Sequence, residues 1–357
     1  MAEPLTFQKF VSAGGAHVFR LPLELFPGFY GSAYLVMVDG YRVLVDAGSG
    51  NDISNEDLLS GFEQVGSVLQ EKVGLEDLTH ILITHGHIDH YGGLVFLRGK
   101  TTAQVGVHEL DLTTLTRHEE RLSLLSARLD KFLVQAGLED ETRSQLLSTY
   151  KFTKAIYCSG SVDFTFEESG MRLGPIEFLH IPGHCPGHVA LRMHDFIFCG
   201  DQVLENMITH QSPENLISYS GLGHYLASLT QLEHWADEAR FVFAGHGREI
   251  DDLPGRVRHI RSAIEAKLHS VMNYLAQPHT LVELTGYLYG EQAGYNSLLV
   301  IEKTGAFVEY LYQRGLLEIT NPDCLESSGS STPILYRRIL NGTNSENVQE
   351  ERAYVLI

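Results

Sequence analysis

Short apolar runs that stop at a polar turn recur through residues 1–250. Leu78 to Thr84 is apolar and β-branched at Ile81, Leu82 and Ile83, which predicts a short buried strand. Ile176 to Ile181, Phe196 to Cys199 and Phe241 to Ala244 have the same character. Upstream, His17 to Leu21, Ala33 to Val38 and Tyr41 to Val45 read as successive strands, with Asp39-Gly40 as a hairpin turn. Val105 to His108, Met171 to Ile181 and His188 to Met193 are further strands. Helices are expected over Glu56 to Lys72, Leu94 to Arg98 and His224 to Trp235. Leu122, Leu125, Leu129, Phe132 and Ala136 recur at helical spacing with Gly137 as a C-cap, and a second helix runs from Glu139 to Leu147. The alternation of the two element types makes this an α/β chain.

Past Gly247 the period changes. Val257, Ile260, Ile264, Leu268, Val271 and Leu275 form one apolar stripe of a long helix. Thr280 and Glu283 fit a capping box that opens a helix over Leu281 to Tyr289. A third spans Ser297 to Gln313, before Gly315. Leu316 to Thr320 and Ile334 to Arg338 form a hairpin around the Ser/Gly-rich Glu326 to Ser331. Three helices and a hairpin suggest a winged-helix-like appendage. The expected division is a catalytic domain over 1–250 with a helical insert at 109–150, an appendage over 251–340, and a polar tail over 341–357.

Several apolar runs end in ligand-type side chains. Thr84-His85-Gly86-His87-Ile88-Asp89-His90 places three imidazoles and a carboxylate within six residues, on the loop leaving a strand. His184 comes after the Ile176 to Ile181 run, Asp201 after Cys199-Gly200, and His246 after Ala244-Gly245. Open α/β sheets build their sites at that strand edge. Imidazole nitrogen and carboxylate oxygen together suit zinc, iron or manganese.

This His-x-His-x-Asp-His motif with three downstream ligands resembles the metallo-β-lactamase-fold hydrolase superfamily, over roughly residues 15 to 250. The resemblance implies an αββα sandwich and two divalent metal ions. His85, His87 and His184 would hold the first, Asp89, His90 and His246 the second, and Asp201 would bridge them. It also implies that Asp46, at the end of the third strand, holds a ligand histidine by its far N–H. His87 stands where flavodiiron oxidoreductases typically carry glutamate, which favours hydrolysis over redox chemistry. The ligand set is more like that of glyoxalase II than that of the true β-lactamases. Zinc is the default ion, and iron and manganese use the same ligands.

Such a centre lowers the pKa of a bridging water from 15.7 to roughly 7. The resulting hydroxide would attack an ester-type carbonyl or a phosphorus, and Asp89 would carry the proton to the leaving group. Cys185 beside His184 is set aside as a ligand, and His180 and His188 are read as holding the loop backbone. His108 falls at a strand end near the expected rim. His210, His224 and Tyr225 are candidates for substrate contact, a tyrosine hydroxyl or imidazole being an oxyanion donor.

Composition narrows the function. The 357 residues carry a formal net charge of −19, which argues against nucleic acid or anionic membranes as partners. The four cysteines are scattered, without Cys-x-x-Cys spacing, and fit a reducing compartment. Met1 to Phe10 lacks an apolar signal core, so a cytoplasmic location is expected. The favoured reading is a thioesterase-like hydrolase acting on a small molecule. The alternatives are a lactonase, a metal-dependent ribonuclease or phosphodiesterase suggested by the appendage, and a metal-loaded regulatory protein without turnover. The helical insert and the tail are both candidate homodimer surfaces.

Overall fold

The computed structural model describes residues 5–326 and 332–339. The Ser/Gly-rich stretch at 327–331 and the tail at 340–357 lie outside the described residues. The chain divides into two bodies. The first comprises 1–121, 157–209 and 224–257; the second comprises 122–156, 210–223 and 258–357. Residues 122–150 of the helical insert therefore group with the C-terminal helices, while 109–121 stay with the strands that precede them in sequence.

The first body is built on two sheets. Strands β1 (Gln8–Val11), β2 (His17–Phe26), β3 (Phe29–Val38), β4 (Tyr41–Val45), β5 (His80–Leu82), β6 (Gln104–Val107) and β7 (Phe164–Thr165) form a seven-stranded sheet in that order. Strands β8 (Arg172–Leu173), β9 (Ile176–His180), β10 (Val189–Met193), β11 (Phe196–Phe198) and β12 (Phe241–Phe243) form a five-stranded sheet in the order β12-β11-β10-β9-β8. The β3–β4 turn pairs Val38 with Tyr41, and Asp39 and Gly40 both have positive φ, as a two-residue hairpin turn requires.

Alternation of side chains along each strand explains the layering. On β2 to β5, Val18, Tyr34, Val36, Val43, Val45 and Leu82 face one way. They pack with Phe178, Leu191, Phe198 and Phe243 of the five-stranded sheet, making the inter-sheet core. Phe19, Leu21, Leu35, Leu44 and Ile81 face the other way, onto Leu58, Phe62 and Val65 of helix α1 (Asp52–Leu69). Each fully buried Leu or Val contributes roughly 1.5–3 kcal/mol, and both sheet faces are covered. Helix α1 starts where the Asn51 side chain accepts from Ser54 N at 2.8 Å. Short helices α2 (Ile88–Tyr91), α3 (Leu94–Arg98) and α4 (Glu109–Thr116) follow β5 and β6, and α7 (Leu222–Trp235) precedes β12. Between α4 and α7 lie α5 (His118–Ala136) and α6 (Asp140–Lys154).

In the second body, α5 ends at Gly137, whose φ is +95°. Helices α8 (Leu253–Tyr274), α9 (Leu281–Tyr289) and α10 (Tyr295–Gln313) follow in order. The Thr280–Glu283 capping box is formed as expected: Thr280 Oγ1 accepts from Glu283 N, and Thr280 N donates to Glu283 Oε2 at 2.8 Å. Strands β13 (Leu317–Ile319) and β14 (Tyr336–Arg338) pair antiparallel, with the short α11 (Asp323–Glu326) between them. Helix α10 buries Leu298, Ile301, Phe307 and Leu311, and Ile334 N donates to Gln135 O at 2.9 Å. No helix among the described residues is long and apolar enough to cross a membrane.

Candidate metal centre

All seven predicted ligands lie in the first body, on loops leaving strands. His85, His87, Asp89 and His90 follow β5; His184 lies between β9 and β10; Asp201 follows β11; His246 follows β12. Their donor atoms fall into overlapping groups in which every pair lies within 4.8 Å. One group is His85, His87, His184 and Cys185; the others are His85, His90 and Asp201, and Asp89, His90 and His246. Asp201 stands between the two halves of the set. Its Oδ2 is 3.9 Å from His184 Nε2 and 3.4 Å from His246 Nε2, while its Oδ1 is 3.5 Å from His90 Nε2. Asp89 Oδ2 is 3.3 Å from His246 Nε2.

The surrounding hydrogen bonds fix which nitrogen three of the five imidazoles present. Asp46, at φ +62° just after β4, turns its carboxylate back across the sheet edge. It accepts from Thr84 N at 2.8 Å, Thr84 Oγ1 at 2.9 Å and His90 Nδ1 at 2.8 Å. The Thr84 hydroxyl, having donated to Asp46, accepts from His85 Nδ1 at 3.0 Å. His246 Nδ1 donates to Tyr30 O at 2.8 Å. In all three rings Nδ1 is engaged by an acceptor, so Nε2 is the nitrogen turned to the cluster. His90 Nε2 and Asp201 Oδ1 are buried and meet no hydrogen-bond partner among the described residues. Buried polar atoms are normally satisfied, and a shared cation is the partner that converging lone pairs and carboxylates fit.

Charge gives the same answer. Burial opposes ionisation of Asp201, yet His246 and His90 hold it well below the usual carboxylate range. Burial opposes ionisation of Asp89 as well, and His90 and then His246 hold it low. Burial opposes a charged His246, but Asp201 and Asp89 hold it up at about 10. The two carboxylates thus draw protons onto the imidazoles facing them, and a divalent ion supplies the same positive charge. His85 is pushed well below its ordinary value by burial and then by His90, which keeps it a neutral donor.

His188 and His180 support the loops. His188 Nε2 accepts from Asp201 N at 3.0 Å, and His180 Nε2 donates to Pro186 O at 2.8 Å. His108 is the N-cap of α4, its Nδ1 accepting from Leu110 N at 3.2 Å. Cys185, set aside as a ligand from the sequence, is buried and its sulfur falls within the His85–His87–His184 group. Tyr225 corrects an expectation: it is 0 % exposed and its hydroxyl donates to Gln202 O at 3.0 Å, so it is not free to donate to a substrate. His224 lies beside it on α7, half-buried. His210 belongs to the second body, where its Nε2 is 3.2 Å from Ser212 Oγ and 3.2 Å from Glu302 Oε2.

Two contributors escaped the sequence reading. Thr84 relays Asp46 to His85. Asp111, in the first turn of α4, accepts from Gly86 N at 2.7 Å and also from Gly187 N, tying the motif loop to the His184 loop. An acidic residue near the start of a helix looks like ordinary dipole compensation, so no local signal marks it.

The model of the metallo-beta-lactamase superfamily matches residues 26–246, which contain every one of these candidate ligands. The chain belongs to the metallo-beta-lactamase superfamily. It is therefore a metallo-beta-lactamase-fold hydrolase, of a metal-dependent superfamily. It is 25 % identical to the lactamase-like protein aptB of Emericella nidulans over 73 % of this chain and 68 % of that protein. It is 25 % identical to the atrochrysone carboxyl ACP thioesterase of Claviceps purpurea, covering 64 % of this chain and 54 % of the relative. It is also 25 % identical to the hydroxyacylglutathione hydrolase of Shewanella halifaxensis, covering 57 % and 59 %. A solved metallo-beta-lactamase family protein from Thermus thermophilus shares the fold, with a TM-score of 0.69, 23 % identity, and coverage of 90 % of this chain and 98 % of that one.

Proposed function

We propose that this member of the superfamily is a binuclear metal-dependent hydrolase of a small thioester or related acyl ester. The observation that carries the reading is the convergence of seven donors, with Asp201 between the two halves and Nδ1 of His85, His90 and His246 already engaged. His85, His87 and His184 would hold one ion, Asp89, His90 and His246 the other, and Asp201 both. When bound, the ions supply Lewis acidity and a water acidified to roughly neutral pKa. Asp46, Thr84 and Tyr30 keep the imidazoles oriented. Asp89 would accept the proton that water loses and return it to the leaving group. His224 is the substrate-contact candidate within this body. The acyl specificity rests on two relatives, one named a thioesterase and one named for hydrolysing an acylglutathione.

The test is thiol release from a panel of acyl thioesters, with wild type beside His85→Ala at known metal content. Turnover by wild type that drops at least ~10²-fold in the variant supports the reading, as expected for a residue of the transition-state machinery. Metal-loaded wild type that hydrolyses no thioester and no ester contradicts it.

A further inference from the structure

The segment after α6 carries a polar atom that the fold leaves unsatisfied. Tyr157 is half-buried, its hydroxyl is inside, and the hydroxyl meets no hydrogen-bond partner among the described residues. Native folds rarely leave such an atom without a reason. The backbone beside it is pinned. His118 N donates to Ser159 Oγ at 2.9 Å, Ser159 N donates to Glu119 Oε1 at 3.0 Å, and Gly160 N donates to Leu115 O at 2.8 Å. The ring lies 6.3 Å from that of His118, whose Nδ1 is 2.9 Å from the hydroxyl of Tyr91. Tyr91 is the residue after His90, so one histidine separates Tyr157 from the helix that carries Asp89 and His90. Burial, and then the negative charge of Asp89, push the Tyr157 phenol up to about 12, so it keeps its proton as a donor at neutral pH.

A fixed, protonated, unpaired hydroxyl within the field of Asp89 is suited to an oxygen brought in from outside. We propose that Tyr157 contacts the substrate, its hydroxyl donating a hydrogen bond to a carbonyl or carboxylate oxygen of an acyl compound held on the Asp89 side of the cluster. The inference rests on the acyl-hydrolase reading for its substrate class. In thioester hydrolysis water adds its oxygen to the carbonyl carbon, the carbon–sulfur bond breaks, and the proton lost by water ends on the thiolate. Tyr157 transfers no proton; it stabilises charge on the oxygen it touches.

The test compares wild type with Tyr157→Phe as metal-loaded full-length protein, using inorganic phosphate as the oxyanion probe in calorimetry and an active thioester in kinetics. The expected result is unchanged metal content and melting temperature, phosphate affinity weaker by about tenfold, and kcat/KM lower by about tenfold to a hundredfold. Unchanged phosphate affinity overturns the proposal whatever substrate the enzyme uses, as does wild type that takes up no phosphate. Loss of metal in Tyr157→Phe makes the residue a support of the cluster and overturns it too. Weaker phosphate binding without thioester turnover in wild type supports Tyr157 and removes only the thioester reading.

Discussion

Thr84 shows how much of the metal centre is decided one atom away from the ligands. Its hydroxyl donates to Asp46 and accepts from His85, so a single carboxylate sets the proton position on two imidazoles. Removing that carboxylate's charge while keeping its shape should loosen both rings. Asp46→Asn, which tolerates the left-handed backbone, is expected to weaken metal affinity by about 10–100-fold in competition titration with a chelator; unchanged affinity would show that Asp46 does not orient the ligands. Asp111 makes a pH prediction. Burial outweighs its two N–H donors and raises it to about 6, above an ordinary aspartate at ~3.9. The folded state then binds more protons than the unfolded one between about pH 4 and 6, so this group's contribution to stability falls as pH rises through that window. Wild type should lose melting temperature relative to Asp111→Asn over that range; a difference flat in pH would contradict the assignment. The seven candidate ligands were legible because their types and spacing are unusual. Thr84, Asp111 and the Tyr30 carbonyl were not, because their roles arise only once distant loops meet.

At the scale of elements, the apolar runs foretold β4 and α3 to the residue, while β2 runs five residues past its expected end and β3 begins four residues before its expected start. The elements that were not foreseen at all are short. Helix α2 is four residues that include two candidate ligands, too brief for an amphipathic period, and β1 is a four-residue edge strand. The grouping of α6 with α10 depends on contacts distant in sequence, which local periodicity does not encode. Loop geometry is equally non-local. Gly183, with φ at +130°, has no room for a Cβ, which would fall 2.4 Å from Tyr225 N and 2.5 Å from Tyr225 Cα. The obstacle is backbone, so it does not yield. Gly183→Ala should cost roughly 1–3 kcal/mol or more from strain alone and displace the adjacent His184. Thermal melts beside metal titration would register both losses, and a variant melting and binding like wild type would refute this account of the loop.

At the scale of the whole molecule, a formal net charge of −19 sets the long-range field. Nucleic-acid binding gains most from phosphate neutralisation and weakens steeply with salt. The chain is expected to show no binding to single-stranded RNA by fluorescence anisotropy at ~50 mM salt, where such binding is strongest; salt-sensitive binding there would revive a ribonuclease reading. In the proposed reading Asp201 would join two metal positions into one centre. The most direct measurement is metal stoichiometry per chain, by elemental analysis after dialysis, for wild type and Asp201→Ala. About two ions in wild type and at least one fewer in the variant are expected. A single ion in wild type, or the same count in both, would contradict a shared binuclear centre.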